Sequence, residues 1–239
     1  MLKVKKNRGI YPSTGGKILF SSLRSNVTWM VFRIMSEFVS GFEFLSKLKH
    51  EVSFFGSARF PEHNVHYQEA RQLARMLNRA GYTIITGGGA GIMEAGNRGA
   101  VEGHGKGESV GINIQLPKEQ RTNPYVRKSM AFSFFFTRKV MLSASSQAYV
   151  FFPGGFGTLD EFFEMLNLIQ TRKIEPVKLI LIGKDFWQPL LDWITKVMYT
   201  QHKAISKQDM RIYSVASDIH DAFRIIRSSH ERAYVNREH

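Results

Sequence analysis

The sequence predicts an α/β fold, a doubly wound parallel sheet with helices on both faces. Three observations carry that prediction. From Val52 onward, short apolar runs alternate with stretches of helical spacing. Glycine-rich turns follow two of those runs, at Gly87-Gly88-Gly89-Ala90-Gly91 and at Pro153-Gly154-Gly155-Phe156-Gly157. The run from Val177 to Gly183 has the composition of a strand buried on both faces, as parallel sheets require.

The elements follow in order. Residues 1–22 are rich in Lys, Gly and Ser and predict no regular element. Between Asn26 and Leu48, apolar residues recur at helical spacing (Val27, Met30, Val31, Ile34, Met35, Phe38), predicting an amphipathic helix or two. Val52–Gly56 reads as the first strand, and Ser57-Ala58-Arg59 as its turn. A helix over about 64–80 stops at Gly81. Tyr82–Thr86 forms a strand that enters the first glycine turn, and a helix continues to about Glu102. Ser109–Ile114 is a third strand; a loop of some fifteen residues then leads to a helix near 133–146. A strand at 148–152 runs into the second glycine turn and a helix at 157–172. The strand at Val177–Gly183, helical stretches near 185–200 and 218–230, and a short strand at Tyr213–Ala216 complete the pattern. Right-handed crossovers put both glycine turns on the carboxyl edge of the sheet.

Charge and pattern predict a basic segment over 1–50 and one α/β domain over 51–239. The formal charge is +13, and the first 50 residues hold nine Lys or Arg against Glu37 and Glu43. Such a segment suits a solvated arm or a partner surface; without a nucleic-acid motif or interleaved aromatics, nucleic acid is not the expected partner. No run is long enough to span a bilayer, so membrane attachment is not expected. The chain has no cysteine, which excludes disulfides, thiolate catalysis and Cys-based zinc sites, and agrees with a cytoplasmic protein. The eight histidines form no ligand-spaced cluster, so no metal is assigned.

The chemistry is concentrated in Pro153-Gly154-Gly155-Phe156-Gly157-Thr158-Leu159-Asp160-Glu161. A strand, a glycine turn and a helix start present free N–H groups and a positive dipole end to an anion. Gly154, Gly155 and Gly157 let backbone approach a phosphate, and Thr158 adds a hydroxyl. A carboxylate one turn further on, Glu161, is poor for holding phosphate and suits chemistry elsewhere on the ligand. Neither glycine turn satisfies G-x-G-x-x-G, because Glu94 and Asp160 stand where the last glycine belongs, and no Walker sequence is present. A mononucleotide therefore fits better than a dinucleotide. Taken alone, Gly87–Gly91 is equally well read as a tight turn with no ligand.

The two glycine motifs, with Arg138-Lys139 between them, resemble the Lonely Guy (LOG) phosphoribohydrolase family, many of whose members are labelled "possible lysine decarboxylase". The likeness runs from about Val52 to Trp187 and includes Gly56-Ser57-Ala58-Arg59, Leu116-Pro117-Lys118-Glu119-Gln120 and Ile169-Gln170-Thr171-Arg172-Lys173. It implies a Rossmann-like domain, a homodimer or larger homo-oligomer, and cleavage of nucleoside 5′-monophosphates into free base and ribose 5-phosphate. By position, Arg138 and Glu161 match the family's catalytic pair. Lys139, Gly155, Phe156, Gly157 and Thr158 match its nucleotide-binding positions, and Glu119 an upstream acidic contact; Gly56, Ser57, Gly88, Gly89 and Gly154 are expected to bind substrate as well. Asn167 departs from plant-type members, which carry a substrate-contacting threonine there, and this leaves the preferred base open. Asp160 and Glu164 are expected to face solvent or to stand behind the site, and Phe134–Phe136 to lie in the core or a dimer interface. None of the positions carried over precedes Gly56, so residues 1–50 are expected to be dispensable for chemistry. No cofactor is implied: a lysine decarboxylase needs pyridoxal phosphate on a Schiff-base lysine in a much larger scaffold. The alternative is a non-catalytic carrier of a phosphorylated ligand, since the same fold resembles molybdenum-cofactor carriers.

Overall fold

A computed structural model describes residues 27–115 and 122–231 of the chain. Helix α1 (Val27–Ser46) precedes strand β1 (Glu51–Phe55), helix α2 (Val65–Arg79), strand β2 (Thr83–Thr86) and helix α3 (Ile92–Gly103). Strands β3 (Ser109–Ile114) and β4 (Lys128–Phe132) are followed by helix α4 (Phe135–Ala144), strand β5 (Ala148–Phe151) and helix α5 (Phe156–Gln170). Strand β6 (Lys178–Leu181), helix α6 (Lys184–Trp193), strand β7 (Tyr213–Val215) and helix α7 (Ile219–Arg227) complete it. All seven strands are parallel, in the order β4-β3-β2-β1-β5-β6-β7. The doubly wound α/β prediction therefore holds.

The period-2 alternation of the strands splits the core in two. Val52, Phe54, Ile84, Val150 and Ile180 face a layer supplied by α2, α3 and α7. Phe55, Ile85, Tyr149, Phe151 and Leu179 face the opposite layer, where Met141 of α4, Phe162 of α5 and Trp187 of α6 pack. Local chemistry sets the helix starts. The Asn64 carboxamide accepts from the His66 N–H at 2.9 Å and caps α2. Asp218 accepts from the His220 and Asp221 N–H groups at 2.8 and 2.9 Å and caps α7.

Two expectations need correction. The long loop after β3 contains a strand, β4, paired with β3 from Val110↔Lys128 to Ile114↔Phe132. As an outer strand of the sheet it is mostly exposed, and its sequence, Lys-Ser-Met-Ala-Phe, opens on two polar residues and has no β-branched one. The helix near 185–200 is α6 followed by a π-helical stretch, Ile194–Gln201. The N-terminal helical signal is a single helix.

Candidate active site

The strand order reverses between β1 and β5: the chain leaves β1 toward β2 on one side and β5 toward β6 on the other. The carboxyl ends of these strands leave a crevice that neither crossover covers, the usual ligand position in such sheets. The turns after β1 and β5 meet there, and the Ser57 N–H donates to the Pro153 carbonyl at 3.0 Å. A cavity of about 870 Å³ opens at this point, large enough for a nucleotide. Gly56, Ser57, Arg138, Glu161 and the whole of Gly154–Thr158 line it, so most of the predicted site converges.

The turn after β5 leads into α5 at Gly155, the N-cap. The Gly155 carbonyl takes the N–H groups of Thr158 and Leu159 at 3.0 and 3.1 Å, which leaves the N–H groups of Phe156 and Gly157 without intrahelical acceptors. A Cβ added at Gly155 or Gly157 would meet nothing within 4 Å. These glycines therefore leave their backbone bare toward the cavity. Gly154 serves the packing of the turn instead, because a Cβ there would overlap the Thr158 hydroxyl, which is tucked beneath it. Phe156 stands at the rim, 92% exposed.

Glu161 lies in the next turn of α5 and is buried. Burial pushes its carboxyl up to about 7; the Lys139 ammonium, 3.3 Å away, opposes that rise and the Glu164 carboxylate adds to it. Arg138 projects from the first turn of α4, where its Nε donates to the Ile112 carbonyl at 2.8 Å. Its guanidinium rests against Gly87, where a Cβ would stand 2.5 Å from Nη2. Burial draws the Arg138 pKa below its ordinary value and the Glu161 charge opposes this, yet a guanidinium stays charged at any working pH. The cavity thus brings a fixed cation and a buried carboxyl of raised pKa together with the bare N–H groups at the start of α5.

Lys139, next in sequence to Arg138, is not among the lining residues. Its ammonium contacts Asp160, Glu161 and Glu164 at 2.6, 3.3 and 2.9 Å. Burial draws its pKa down, but these carboxylates outweigh burial and hold it above the ordinary lysine value. Gly88 and Gly89 also stand outside the lining. The Gly88 N–H donates to the Thr86 hydroxyl at 2.9 Å, and Asn123 donates to the carbonyls of both glycines, each at 2.9 Å. Asn167 faces a separate cavity of about 120 Å³ with Phe163, Ile194 and Met198. Glu119 lies outside the described residues. The site positions expected from sequence do not include Gly87, Phe135 or Asp160, all of which line the cavity. Gly87 was legible as the residue directly after a strand; no local signal marks Phe135.

The family model described as "Possible lysine decarboxylase" matches residues 93–226, more than half of the chain. The chain belongs to this family, the LOG family of its curated relatives. One of these is the probable cytokinin riboside 5′-monophosphate phosphoribohydrolase LOGL5 of Oryza sativa subsp. japonica, 32% identical over 159 residues. Another is the cytokinin riboside 5′-monophosphate phosphoribohydrolase LOG of the same plant, 28% identical over 152 residues. These matches cover 64% and 62% of this chain, and 62% and 61% of the rice proteins' lengths. Among solved structures, the molybdenum cofactor binding protein of Rippkaea orientalis aligns with a TM-score of 0.53 at 20% identity, covering 74% of this chain and 94% of its own. The molybdenum cofactor carrier protein of Chlamydomonas reinhardtii aligns with a TM-score of 0.54 at 18% identity, covering 75% and 96%. At such identities the likeness establishes a common fold, and the LOG-family chain shares it.

Proposed function

We propose that this LOG-family chain hydrolyses the N-glycosidic bond of a nucleoside 5′-monophosphate, AMP or an N6-modified AMP, releasing free base and ribose 5-phosphate. The observation that carries this reading is a buried carboxyl, Glu161, one helical turn from an open anion cradle and in the same cavity as Arg138. The 5′-phosphate would rest on the N–H groups at the start of α5, where the helix dipole favours negative charge. That anchor brings C1′ toward Glu161. As the bond from C1′ to the base nitrogen breaks, its electron pair leaves with the base and positive charge develops on the ribose ring. The Glu161 carboxylate stabilises that charge, orients a water onto C1′ and accepts its proton; the departing base takes a proton from solvent and Glu161 returns its own to solvent, which closes the balance. Arg138 would hold phosphate or ribose oxygens and offset the ligand's negative charge. No cofactor enters this scheme.

The reading includes a homodimer or larger homo-oligomer in a reducing cytoplasm. Trp29, Phe32, Met35 and Val39 on α1, with Phe135 and Phe136 on α4, are exposed apolar side chains of the kind subunit contacts cover. Light scattering on the purified chain checks the assembly. The reaction is checked by incubating the protein with a panel of nucleoside 5′-monophosphates and following free base and ribose 5-phosphate. Release of both in equal amounts is the expected result. Tight nucleotide binding with no base released would turn the reading toward a carrier.

A further inference from the structure

Glu37 lies on α1, outside the family match and about a hundred residues from the motif it touches. Its carboxylate accepts from the Ser133 N–H at 2.7 Å, the Phe134 N–H at 3.4 Å and the Thr137 hydroxyl at 2.5 Å. Phe134 is the N-cap of α4 and its side chain makes no capping bond. Glu37 therefore takes the N–H of the N-cap residue and of the residue before it, as the Glu of a capping box does from within its own helix, and it adds a negative charge at the positive dipole end. Other contacts seat the same junction. Arg33 donates to the Ser133 hydroxyl at 3.3 Å and lies over the Phe134 ring at 5.6 Å. Gly41 is closed against Met141 on the next turns of α4, where a Cβ would stand 2.5 Å from the sulfur.

The turn so fixed carries Arg138, whose N–H donates to the Phe134 carbonyl at 3.3 Å directly after the Thr137 that Glu37 holds. The geometry points to Glu37 as a positioning residue: α1 caps α4 and thereby sets the Arg138 guanidinium in the substrate cavity. This rests on the role given to Arg138 above, and it runs against the expectation that residues 1–50 do not matter for chemistry. A cap of this kind acts through one side chain, so its effect should disappear when that side chain is absent.

The experiment is a double-mutant cycle in the full chain, read in two ways: turnover of AMP and, separately, calorimetric AMP binding. Glu37→Ala should lower one or both by about tenfold, the scale of a lost cap or charged hydrogen bond. Glu37→Gln, which keeps one acceptor, should fall between. Glu43→Ala serves as the control, because Glu43 sits exposed on the same helix and pairs with Lys47 at 2.8 Å; it should change neither. In an Arg138→Gln background, Glu37→Ala should add less than about twofold, since interacting positions are not additive. Multiplicative losses in that background, or unchanged Glu37→Ala and Glu37→Gln, would overturn the proposal. If Glu37→Ala fails to fold, the same cycle with Glu37→Gln decides it. Were the parent protein to bind AMP without releasing base, the hydrolase reading would fall, and the binding arm of the cycle would still judge Glu37.

Discussion

The two glycine turns on the carboxyl edge of the sheet look alike in sequence and do opposite things. After β5, the positions of Gly155 and Gly157 have empty space around them, and the backbone of the turn faces the cavity. After β2, the space beside Gly88 and Gly91 is full of protein. A Cβ at Gly88 would overlap the Asn113 side chain, and one at Gly91, where φ is +64°, would overlap the Ser57 carbonyl. The polar groups of the turn after β2 are spent internally: Asn123 also donates to the Asn97 carboxamide at 2.9 Å, and Asn97 takes the Thr86 hydroxyl at 2.6 Å. Glycine after β5 leaves the backbone open to the cavity; after β2 it makes room for the chain itself. The closed turn contributes by shape, with Gly87 giving way to the Arg138 guanidinium.

The open turn should be the place where chemistry is lost. Glu161→Gln should reduce base release at least ~100-fold while nucleotide affinity stays within a few-fold, the scale of one well-placed electrostatic or acid–base group. The same substitution should make the protein more stable at neutral pH. The Glu161 carboxyl is raised from 4.5 to about 7 in the folded chain, so wild-type stability declines as pH rises between those values. The advantage of Gln should thus be absent below about pH 4.5, grow to roughly 1–3 kcal/mol by pH 7 and level off above, as thermal unfolding across pH would record. A stability gain without loss of turnover would mean that Glu161 is only a buried charge.

Glycine substitutions separate the turns directly. Gly91→Ala should cost at least about 2 kcal/mol of stability, because both its backbone conformation and its surroundings exclude a methyl group. Gly157→Ala should leave the fold intact or slightly firmer, since alanine is the better helix former and has room here. If the start of α5 holds the phosphate, the substitution should weaken binding of AMP or inorganic phosphate by roughly tenfold, by crowding the N–H groups there. If Gly91→Ala lost affinity without stability, both turns would have to be read as ligand loops. A smaller effect is expected from Lys139→Met. Removing the ammonium beside Glu161 takes away the charge that holds its carboxyl down, so the acid limb of turnover should move to higher pH.

Local sequence shows the backbone freedom of both turns but not what fills the space beside them, for a physical reason. Backbone freedom is local and is written in glycine; what fills the space that glycine leaves comes from Asn113, Asn123 and Ser57, in other elements. The same limit explains Lys139. Adjacent helical residues point about 100° apart, and pattern alone does not say which of Arg138 and Lys139 faces the cavity. The central strands were legible from continuous buried apolar runs, whereas exposed β4 has only a short one with no β-branched residue. The Glu37 cap joins positions about a hundred residues apart, and no local pattern records such a contact.

The most direct test compares AMP with adenosine as substrates for the full-length chain, by kcat/KM for adenine release. If the start of α5 holds a 5′-phosphate and thereby sets C1′ beside Glu161, AMP should be preferred by at least ~100-fold, because binding energy at the phosphate is used at the reacting carbon. Equal turnover of the two would contradict this: the open turn would then play no part in substrate recognition.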